Sequence, residues 1–119
     1  FIKKEVLRYL VFDKETGSFI GSTGFHAIEW DVPKMQIGYW LDSRATGKGY
    51  MAEAVSALTE LAFSTFKCKR LEIQCDTENR KSRAIPEKLG CVLEGVLHND
   101  ERSVDGKRLT DTCIYAKFT

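Results

Sequence analysis

A glycine-rich segment between a strand pattern and a helix pattern carries the clearest chemical signal in the sequence. Residues 42–54 read DSRATGKGYMAEA. The first N–H groups of a helix are unpaired and lie at the positive end of its dipole, so they bind anions such as a pyrophosphate. Gly47 and Gly49 would let the backbone approach that ligand, and Arg44 and Lys48 would add positive charge. On the two glycines alone, a plain strand-to-helix turn is the alternative.

Three nucleotide-binding motifs compete for this segment. A Walker A loop is excluded, because Asp42 and Gly49 stand where its first Gly and its Ser or Thr are required. The spacing Gly47-x-Gly49-x-x-Ala52 fits a loose dinucleotide fingerprint. However, the preceding strands are hairpin-linked and do not start a parallel β-α-β unit, which disfavours an NAD(H) oxidoreductase. The third motif, Arg-x-x-Gly-x-Gly, is met by Arg44, Gly47 and Gly49.

A second polar signature precedes a shorter helix. Residues 79–82 read N-R-K-S, and the helix pattern that follows ends at Leu89-Gly90-Cys91. Asn and Ser are favoured at helix N-termini, where they cap free N–H groups, and Gly suits a left-handed C-cap. Asn79 and Ser82 can equally hydrogen bond to a ligand, so both interpretations stay open.

Eight elements must position these two segments, in the order β-β-β-α-β-α-β-β. Short turns make the first three strands an antiparallel meander, and the later strands alternate with helices. This pattern predicts a mixed α/β fold, a largely antiparallel sheet with helices on both faces. Gly21 and Gly24 inside a strand predict a bulge or a close backbone approach. The predicted strands cover 5–12, 18–28, 34–41, 70–76, 91–97 and 108–118, and the predicted helices cover 50–66 and 80–89.

Length and composition exclude several classes. The 119 residues predict one domain, 1–119, and 18 Lys+Arg against 17 Asp+Glu give a net charge of +1, so a nucleic-acid partner is not expected. No run approaches the roughly 18 apolar residues of a membrane span. The four cysteines form no C-x-x-C and no metal spacing, which predicts reduced, buried thiols in a cytoplasmic protein without a metal.

The two signatures together resemble those of the GCN5-related N-acetyltransferase (GNAT) superfamily. Residues 44–49 match its pyrophosphate loop, Gln/Arg-x-x-Gly-x-Gly/Ala. Residues 79–91 match its Asn-x-x-Ser/Ala signature and the helix that ends in Leu-Gly-Phe, with Cys91 in place of Phe. The predicted element order also matches, and the resemblance covers nearly the whole chain.

Four further motifs resemble one branch, the ribosomal-protein (serine/alanine) N-acetyltransferases. They are Phe25-x-Ala27-Ile28-Glu29, IGYWLD at 37–42, Glu94-Gly95, and Asp111-x-x-x-Tyr115. The resemblance implies transfer of an acetyl group from acetyl-CoA to the N-terminal α-amine of a protein. A small amine such as a polyamine or an aminoglycoside is an alternative acceptor. A non-catalytic CoA-binding module is an alternative function.

The resemblance also implies where acetyl-CoA lies. It would occupy a splay between strands 34–41 and 70–76, with Asn79 along its arm. A backbone N–H near Leu41 would bind the thioester carbonyl as an oxyanion-type donor. An amine would attack directly, without a covalent enzyme intermediate or a metal. The residues implied to hold the pyrophosphate are Arg44, Gly47, Lys48, Gly49 and Tyr50.

The proton-transfer groups are less defined by the resemblance. Many members carry a Tyr where this chain has Pro86, so Ser82 is the expected donor to the thiolate, unless it serves only as a helix cap. An amine must lose a proton before it attacks. Asp42, Glu29 and His26 are the candidate bases, and His26 also reads as a structural residue within a strand.

The resemblance starts after the family's first strand and first two helices, which form one wall of the acceptor site. The chain opens with charged residues and without Met. We therefore expect it to be N-terminally truncated. An apolar sheet edge would then be exposed, which favours a homodimer.

Overall fold

The computed structural model describes residues 7–42 and 49–119. It confirms the predicted order of eight elements, with bounds that differ from the predicted ones mainly in the last hairpin. The fifth strand continues five residues past the expected end, because the tight turn at 103–108 is closed by Ser103 N–H to Arg108 C=O, 2.9 Å. The elements are β1 (Leu7–Phe12), β2 (Phe19–Glu29), β3 (Lys34–Leu41), α1 (Tyr50–Ser64), β4 (Arg70–Asp76), α2 (Arg80–Lys88), β5 (Val92–Arg102) and β6 (Leu109–Phe118).

The six strands form one sheet in the order β1-β2-β3-β4-β6-β5. Four neighbouring pairs are antiparallel, and β3 and β4 are parallel. The mixed, largely antiparallel sheet is therefore confirmed. Because α1 joins β3 to β4, the glycine-rich segment does lie within a β-α-β unit, contrary to the argument from hairpins. Among the described strands no second neighbouring pair is parallel, so the sheet is not doubly wound.

Both described helices pack on the same face of the sheet. Their buried residues, such as Val55 of α1 and Ile85 of α2, share one apolar cluster with Phe25, Ile37 and Ile73. The connections β3-α1-β4 and β4-α2-β5 both move in the same direction across the sheet, and right-handed crossovers then place both helices on one side. Helices were expected on both faces, but within 7–42 and 49–119 the second face carries none.

Glycines allow two close backbone approaches in β2, as predicted. A Cβ on Gly21 would lie 2.0 Å from the carbonyl oxygen of Trp40, and one on Gly24 would lie 2.1 Å from that of Leu7. Since real Cβ atoms essentially never come within 3.0 Å of another heavy atom, no larger residue fits without a shift of β1 or β3. The close approach of β2 to the end of β3 therefore requires glycine at position 21.

The two edge strands expose apolar side chains. On β1, Leu10 is 63% and Phe12 is 54% exposed, and on β5 Val92 is 51% exposed. Unpaired strand edges favour association with another chain. The homodimer stays a prediction.

The cysteines are free thiols, of which Cys91 is half-buried and Cys68, Cys75 and Cys113 are buried. Burial raises the pKa of Cys75 to about 11, so its thiol is protonated at neutral pH. Neither described helix is long and apolar enough to cross a membrane.

Candidate active site

The sheet opens between β3 and β4, at the carboxyl ends of these two strands. Their pairing runs from Lys34–Arg70 to Ile37–Ile73 and then stops. Beyond that point β3 continues beside β2 as far as Leu41. Over the same stretch β4 stays paired with β6. The result is the splay implied by the family resemblance.

The backbone of β3 directs a free donor into this splay. Asp42 donates its N–H to the carbonyl of Ile20 at 2.8 Å, on the β2 side. Because N–H direction alternates along a strand, the N–H of Leu41 points to the other side, toward β4. The β3–β4 ladder has ended by then, so this N–H faces the opening. A carbonyl oxygen placed there would have a backbone donor.

A cleft of about 340 Å³ occupies the splay between the end of β3 and the start of α2. Tyr39 spans it, since its hydroxyl donates to the backbone carbonyl of Ser82 at 2.6 Å. Burial is the main cause that raises the pKa of Tyr39 well above its usual value of 10, so this hydroxyl stays protonated. The cleft is lined by Tyr39, Trp40, Leu41, Asn79, Lys81, Ser82 and Ile85.

The start of α2 brings Asn79 and Ser82 together. Asn79 is the N-cap residue, and its side-chain oxygen accepts the N–H of Ser82 at 3.0 Å. The capping role is therefore confirmed for Asn79, and its amide group still lies at the wall of the cleft. Ser82 is half-buried in the third position of the helix. The two readings of this signature are compatible, because the cap orients the residues that line the cleft.

The N-terminus of α1 has the geometry of an anion site without a cap of its own. Gly49 is the N-cap, with φ of +74°, and it makes no side-chain cap bond. Left-handed φ is the reason that glycine suits this position. Gly49 therefore leaves the first N–H groups of the helix, from Tyr50 onward, without a bond from the N-cap residue. Arg44, Gly47 and Lys48 lie outside the described residues.

The side chain of Tyr50 turns away toward the β1–β2 connection. The carboxylate of Asp13 raises the pKa of Tyr50, and this effect requires the two groups to be close. Both residues line the same surface depression. Any contribution of Tyr50 to a pyrophosphate site would therefore come from its backbone N–H, as the resemblance implied.

The three candidate bases lie in different places. Asp42 directly follows β3, beside the cleft. Glu29 lies at the opposite end of the sheet, in an exposed ion pair with Lys34 at 3.1 Å. About 23 Å of strand separate that pair from Leu41 at the usual rise per residue. The structure therefore does not bring Glu29 together with Ser82.

His26 lies on the second face of the sheet, at the wall of another cavity. Its Nε2 is 3.1 Å from Oε1 of Gln36, and its ring covers Gly38, where a Cβ would lie 3.0 Å from the ring. This cavity of about 300 Å³ shares Tyr39 and Trp40 with the cleft on the helix side. Two cavities thus meet at the end of β3, one on each face of the sheet.

Asp111 and Tyr115, from one of the motifs that resemble the ribosomal-protein branch, have structural partners. Asp111 accepts the N–H of Asn99 at 2.9 Å, and this bond together with His98 lowers the pKa of its carboxyl. The hydroxyl of Tyr115 lies between Arg83, at 3.0 Å, and Glu87, at 2.8 Å. These contacts join β6 to β5 and to α2, and none of the four partners lines the cleft itself.

Sequence reasoning missed Tyr39 as a member of the site. Tyr39 lies on the same face of β3 as the buried Ile37. Its hydroxyl was the available signal, because a buried Tyr usually finds a hydrogen-bond partner. Across residues 7–42 and 49–119, no three His, Cys, Asp or Glu side chains are grouped as metal ligands would be.

A family model and several known proteins match this chain. The acetyltransferase (GNAT) domain model matches residues 1–92. The uncharacterized N-acetyltransferase p20 of Bacillus licheniformis is 31% identical over 109 residues, which cover 92% of this chain and 60% of that protein. The ribosomal-protein-serine acetyltransferase of Escherichia coli K12 is 29% identical over 110 residues, covering 92% and 59%.

Solved structures agree with these matches. RimL, a ribosomal L7/L12 α-N-protein acetyltransferase in complex with coenzyme A, has a TM-score of 0.83 and 30% identity to this chain. That comparison covers 95% of this chain and 62% of the other. The chain thus spans about six-tenths of the length of the relatives it matches.

Proposed function

This chain belongs to the acetyltransferase (GNAT) family, and we propose that it transfers an acetyl group from acetyl-CoA to a primary amine. The observation that carries the proposal is the splay at the end of β3. Leu41 of β3 and Ser82 of α2 line the same cleft there, and in this proposal the cleft holds the thioester between them. The similarity to a structure solved with coenzyme A supports the choice of ligand.

The residues present fit acetyl-CoA in three respects. The uncapped first turn of α1 offers N–H groups to a pyrophosphate, with Gly49 at its start and Arg44, Gly47 and Lys48 just before it. Asn79 offers its amide group to the arm that leads into the cleft. The N–H of Leu41 would bind the thioester oxygen, and such a donor is worth most where negative charge develops in the transition state.

The acetyl group passes from sulfur to nitrogen in a direct attack, without a covalent enzyme intermediate. The amine nitrogen attacks the thioester carbon, a C–N bond forms, and the C–S bond breaks. The Leu41 N–H stabilises the oxyanion, and the Ser82 hydroxyl donates a proton or a hydrogen bond to the departing sulfur. The amine proton passes to a base or to solvent. Orientation and electrostatic stabilisation supply most of the acceleration.

The acceptor approaches from the second face of the sheet in this proposal. The cavity beside His26 meets the cleft at Tyr39 and Trp40, so an amine there would reach the thioester from the side opposite α2. Asp42 and His26 are the proposed bases, directly or through water. Glu29 lies too far from the cleft to act on the same amine.

We propose the N-terminal α-amine of a ribosomal protein as the acceptor. The support is the similarity to the Escherichia coli ribosomal-protein-serine acetyltransferase and to RimL. A cytoplasmic location and a homodimer are parts of the same proposal.

The test is an acetyl-transfer assay with a panel of amines. N-terminal peptides of ribosomal proteins, spermidine and an aminoglycoside are each incubated with acetyl-CoA, and the acetylated product is identified by mass spectrometry. Ser82→Ala should lower kcat by about a hundredfold or more, because a positioned proton donor contributes roughly 10²- to 10⁴-fold. Its Kd for acetyl-CoA should change by less than about twofold, since the cap by Asn79 uses the backbone N–H of Ser82.

The matched control is Ser64→Ala. Ser64 is exposed at the end of α1 and bonds to the carbonyl of Glu60 at 2.6 Å, so kcat should not change. If acetyl-CoA binds but no amine is acetylated, the chain is a CoA-binding module. Acetylation of spermidine in preference to every peptide would contradict the proposed acceptor.

A further inference from the structure

The carbonyl of Ser82 has lost its partner within the helix. In an α-helix each carbonyl accepts the N–H four residues later, and for Ser82 that residue is Pro86, which has no N–H. Pro86 lies inside the nine-residue helix α2 and is fully buried. The missing hydrogen bond therefore falls within the helix, where fraying of an end cannot expose the carbonyl to water. A carbonyl in this position needs a donor from elsewhere.

Tyr39 supplies that donor from the facing strand. Its hydroxyl lies 2.6 Å from the Ser82 carbonyl oxygen, although 43 residues separate the two in sequence. Because Tyr39 is the third residue from the end of β3, the bond joins the two walls of the cleft just where the β3–β4 ladder has ended. No ladder hydrogen bond between β3 and β4 holds that part of the sheet to its neighbour.

We propose that Tyr39 is a positioning residue that sets the place of the Ser82 hydroxyl relative to the Leu41 N–H, and that Pro86 makes this role necessary by leaving the Ser82 carbonyl open. The inference rests on the proposed function, in which Ser82 assists the leaving thiolate. Within that function, Tyr39 would hold Ser82 at a fixed distance from the N–H donor on β3. The oxyanion donor and the proton donor lie on different elements, so their separation depends on this cross-cleft bond.

A second role for the same hydroxyl would be direct protonation of the thiolate. The geometry favours positioning, because the proton of Tyr39 is directed at the Ser82 carbonyl, 2.6 Å away. A donor that is already bonded to a backbone carbonyl must break that bond before it can serve a ligand. The two roles also differ in their dependence on Pro86, which matters for positioning alone.

The test is a double-mutant cycle of Tyr39→Phe and Pro86→Ala. Tyr39→Phe keeps the ring and removes the bond, so kcat should fall about tenfold, the factor that corresponds to one hydrogen bond of ordinary net strength. The KM for acetyl-CoA should change by less than about twofold, since the pyrophosphate site is on α1. Pro86→Ala introduces a backbone N–H that can take the Ser82 carbonyl, so in that background Tyr39→Phe should lower kcat less than about twofold.

Three further readouts keep the result unambiguous. The pH profile of kcat should have the same shape in wild type and Tyr39→Phe, whereas loss of an alkaline limb would identify Tyr39 as the acid and overturn positioning. Tyr9→Phe, a change at an exposed Tyr of β1, is the matched control and should leave kcat unchanged. If Pro86→Ala does not fold, the ¹³C shift of the Ser82 carbonyl replaces the cycle, and Tyr39→Phe should move it more than those of its neighbours.

The failure of the inference is distinct from failure of the proposed function. Equal losses of kcat in the Pro86 and Pro86→Ala backgrounds, or an unmoved Ser82 carbonyl shift, would overturn positioning while acetyl transfer by the wild type stands. Absence of transfer by the wild type to any amine would defeat the proposed function and the positioning role with it. The unfolding stability of the four proteins in the cycle would still report whether the hydrogen bond exists.

Discussion

Gly21→Ala should destabilise the fold and displace the proposed oxyanion donor in one step. The added Cβ would lie 2.0 Å from the carbonyl oxygen of Trp40 and 3.0 Å from the methyl carbon of Met51. Since Cβ atoms are essentially never closer than 3.0 Å to a heavy atom, the Trp40 carbonyl must move by at least 1.0 Å, the difference between the two distances. The N–H of Leu41 belongs to the same peptide and moves with it.

The magnitude follows from two costs and one gain. Overpacking costs about 1–3 kcal/mol, and the strained ladder bond beside Trp40 costs about 1 kcal/mol. Replacing Gly within a strand gains about 0.5–1 kcal/mol. The free energy of unfolding should therefore fall by about 1–3.5 kcal/mol, measured by urea denaturation with unchanged m. The affinity for acetyl-CoA, measured without urea, should fall as well. The displaced N–H of Leu41 would no longer point into the splay in the same direction.

Gly95→Ala is the matched control. Gly95 lies in β5, and a Cβ there would meet nothing within 4 Å. The same substitution should leave stability unchanged or raise it by about 0.5 kcal/mol. If Gly21→Ala and Gly95→Ala have the same free energy of unfolding within about 0.5 kcal/mol, the close approach of β2 to Trp40 is not a constraint and the reasoning is refuted.

Three further predictions concern the cap, the rejected base and a buried thiol. Asn79→Ala should lower the free energy of unfolding by about 0.5–2 kcal/mol, whereas Asn79→Asp should retain most of it, because its carboxylate can still accept the Ser82 N–H. Equal stabilities of the two variants in thermal denaturation would contradict the cap. Glu29→Gln should keep kcat within about twofold, because Glu29 lies far from the cleft. The free energy of unfolding should change by less than about 1 kcal/mol, because the ion pair with Lys34 is exposed. A large loss of kcat would restore Glu29 as the base. Burial raises the pKa of Cys75 from 9.0 to about 11, so the unfolded chain loses this proton first and the free energy of unfolding should fall as pH rises from 9 to 11. In urea denaturation, Cys75→Ala should show a smaller fall over the same pH range. An identical pH dependence in the variant and the wild type would refute the shift.

Local patterns were sufficient to predict the elements. Periodicity predicted the order of the eight elements, and the left-handed Gly90 ended α2 as expected, with φ of +77°. Each of these features depends on residues close in sequence, whose periodicity and turn chemistry can be read directly. Gly21 and Gly24 predicted a bulge or a close backbone approach for the same reason, and the structure shows the close approach at both.

The relation between distant elements could not be predicted in the same way. The side of the sheet taken by each helix depends on strand order, and the order β4-β6-β5 has no signature in any short stretch of sequence. The bond between Tyr39 and Ser82 likewise depends on where β3 and β4 separate. Pro86 was noticed for the hydroxyl it lacks, and its effect on the carbonyl four residues earlier became visible only with Tyr39 opposite.

The most direct test of the account is a titration of the ¹⁵N-labelled protein with acetyl-CoA, followed by amide chemical shifts. If acetyl-CoA binds between β3 and β4, saturable shifts should be largest for the N–H groups of Leu41, Gly49, Tyr50 and Ser82, at both walls of the splay and at the start of α1. NADH at the same concentration should cause none of them. Saturable shifts confined to other parts of the sheet, or no shifts from a folded sample, would contradict the placement of acetyl-CoA between β3 and β4.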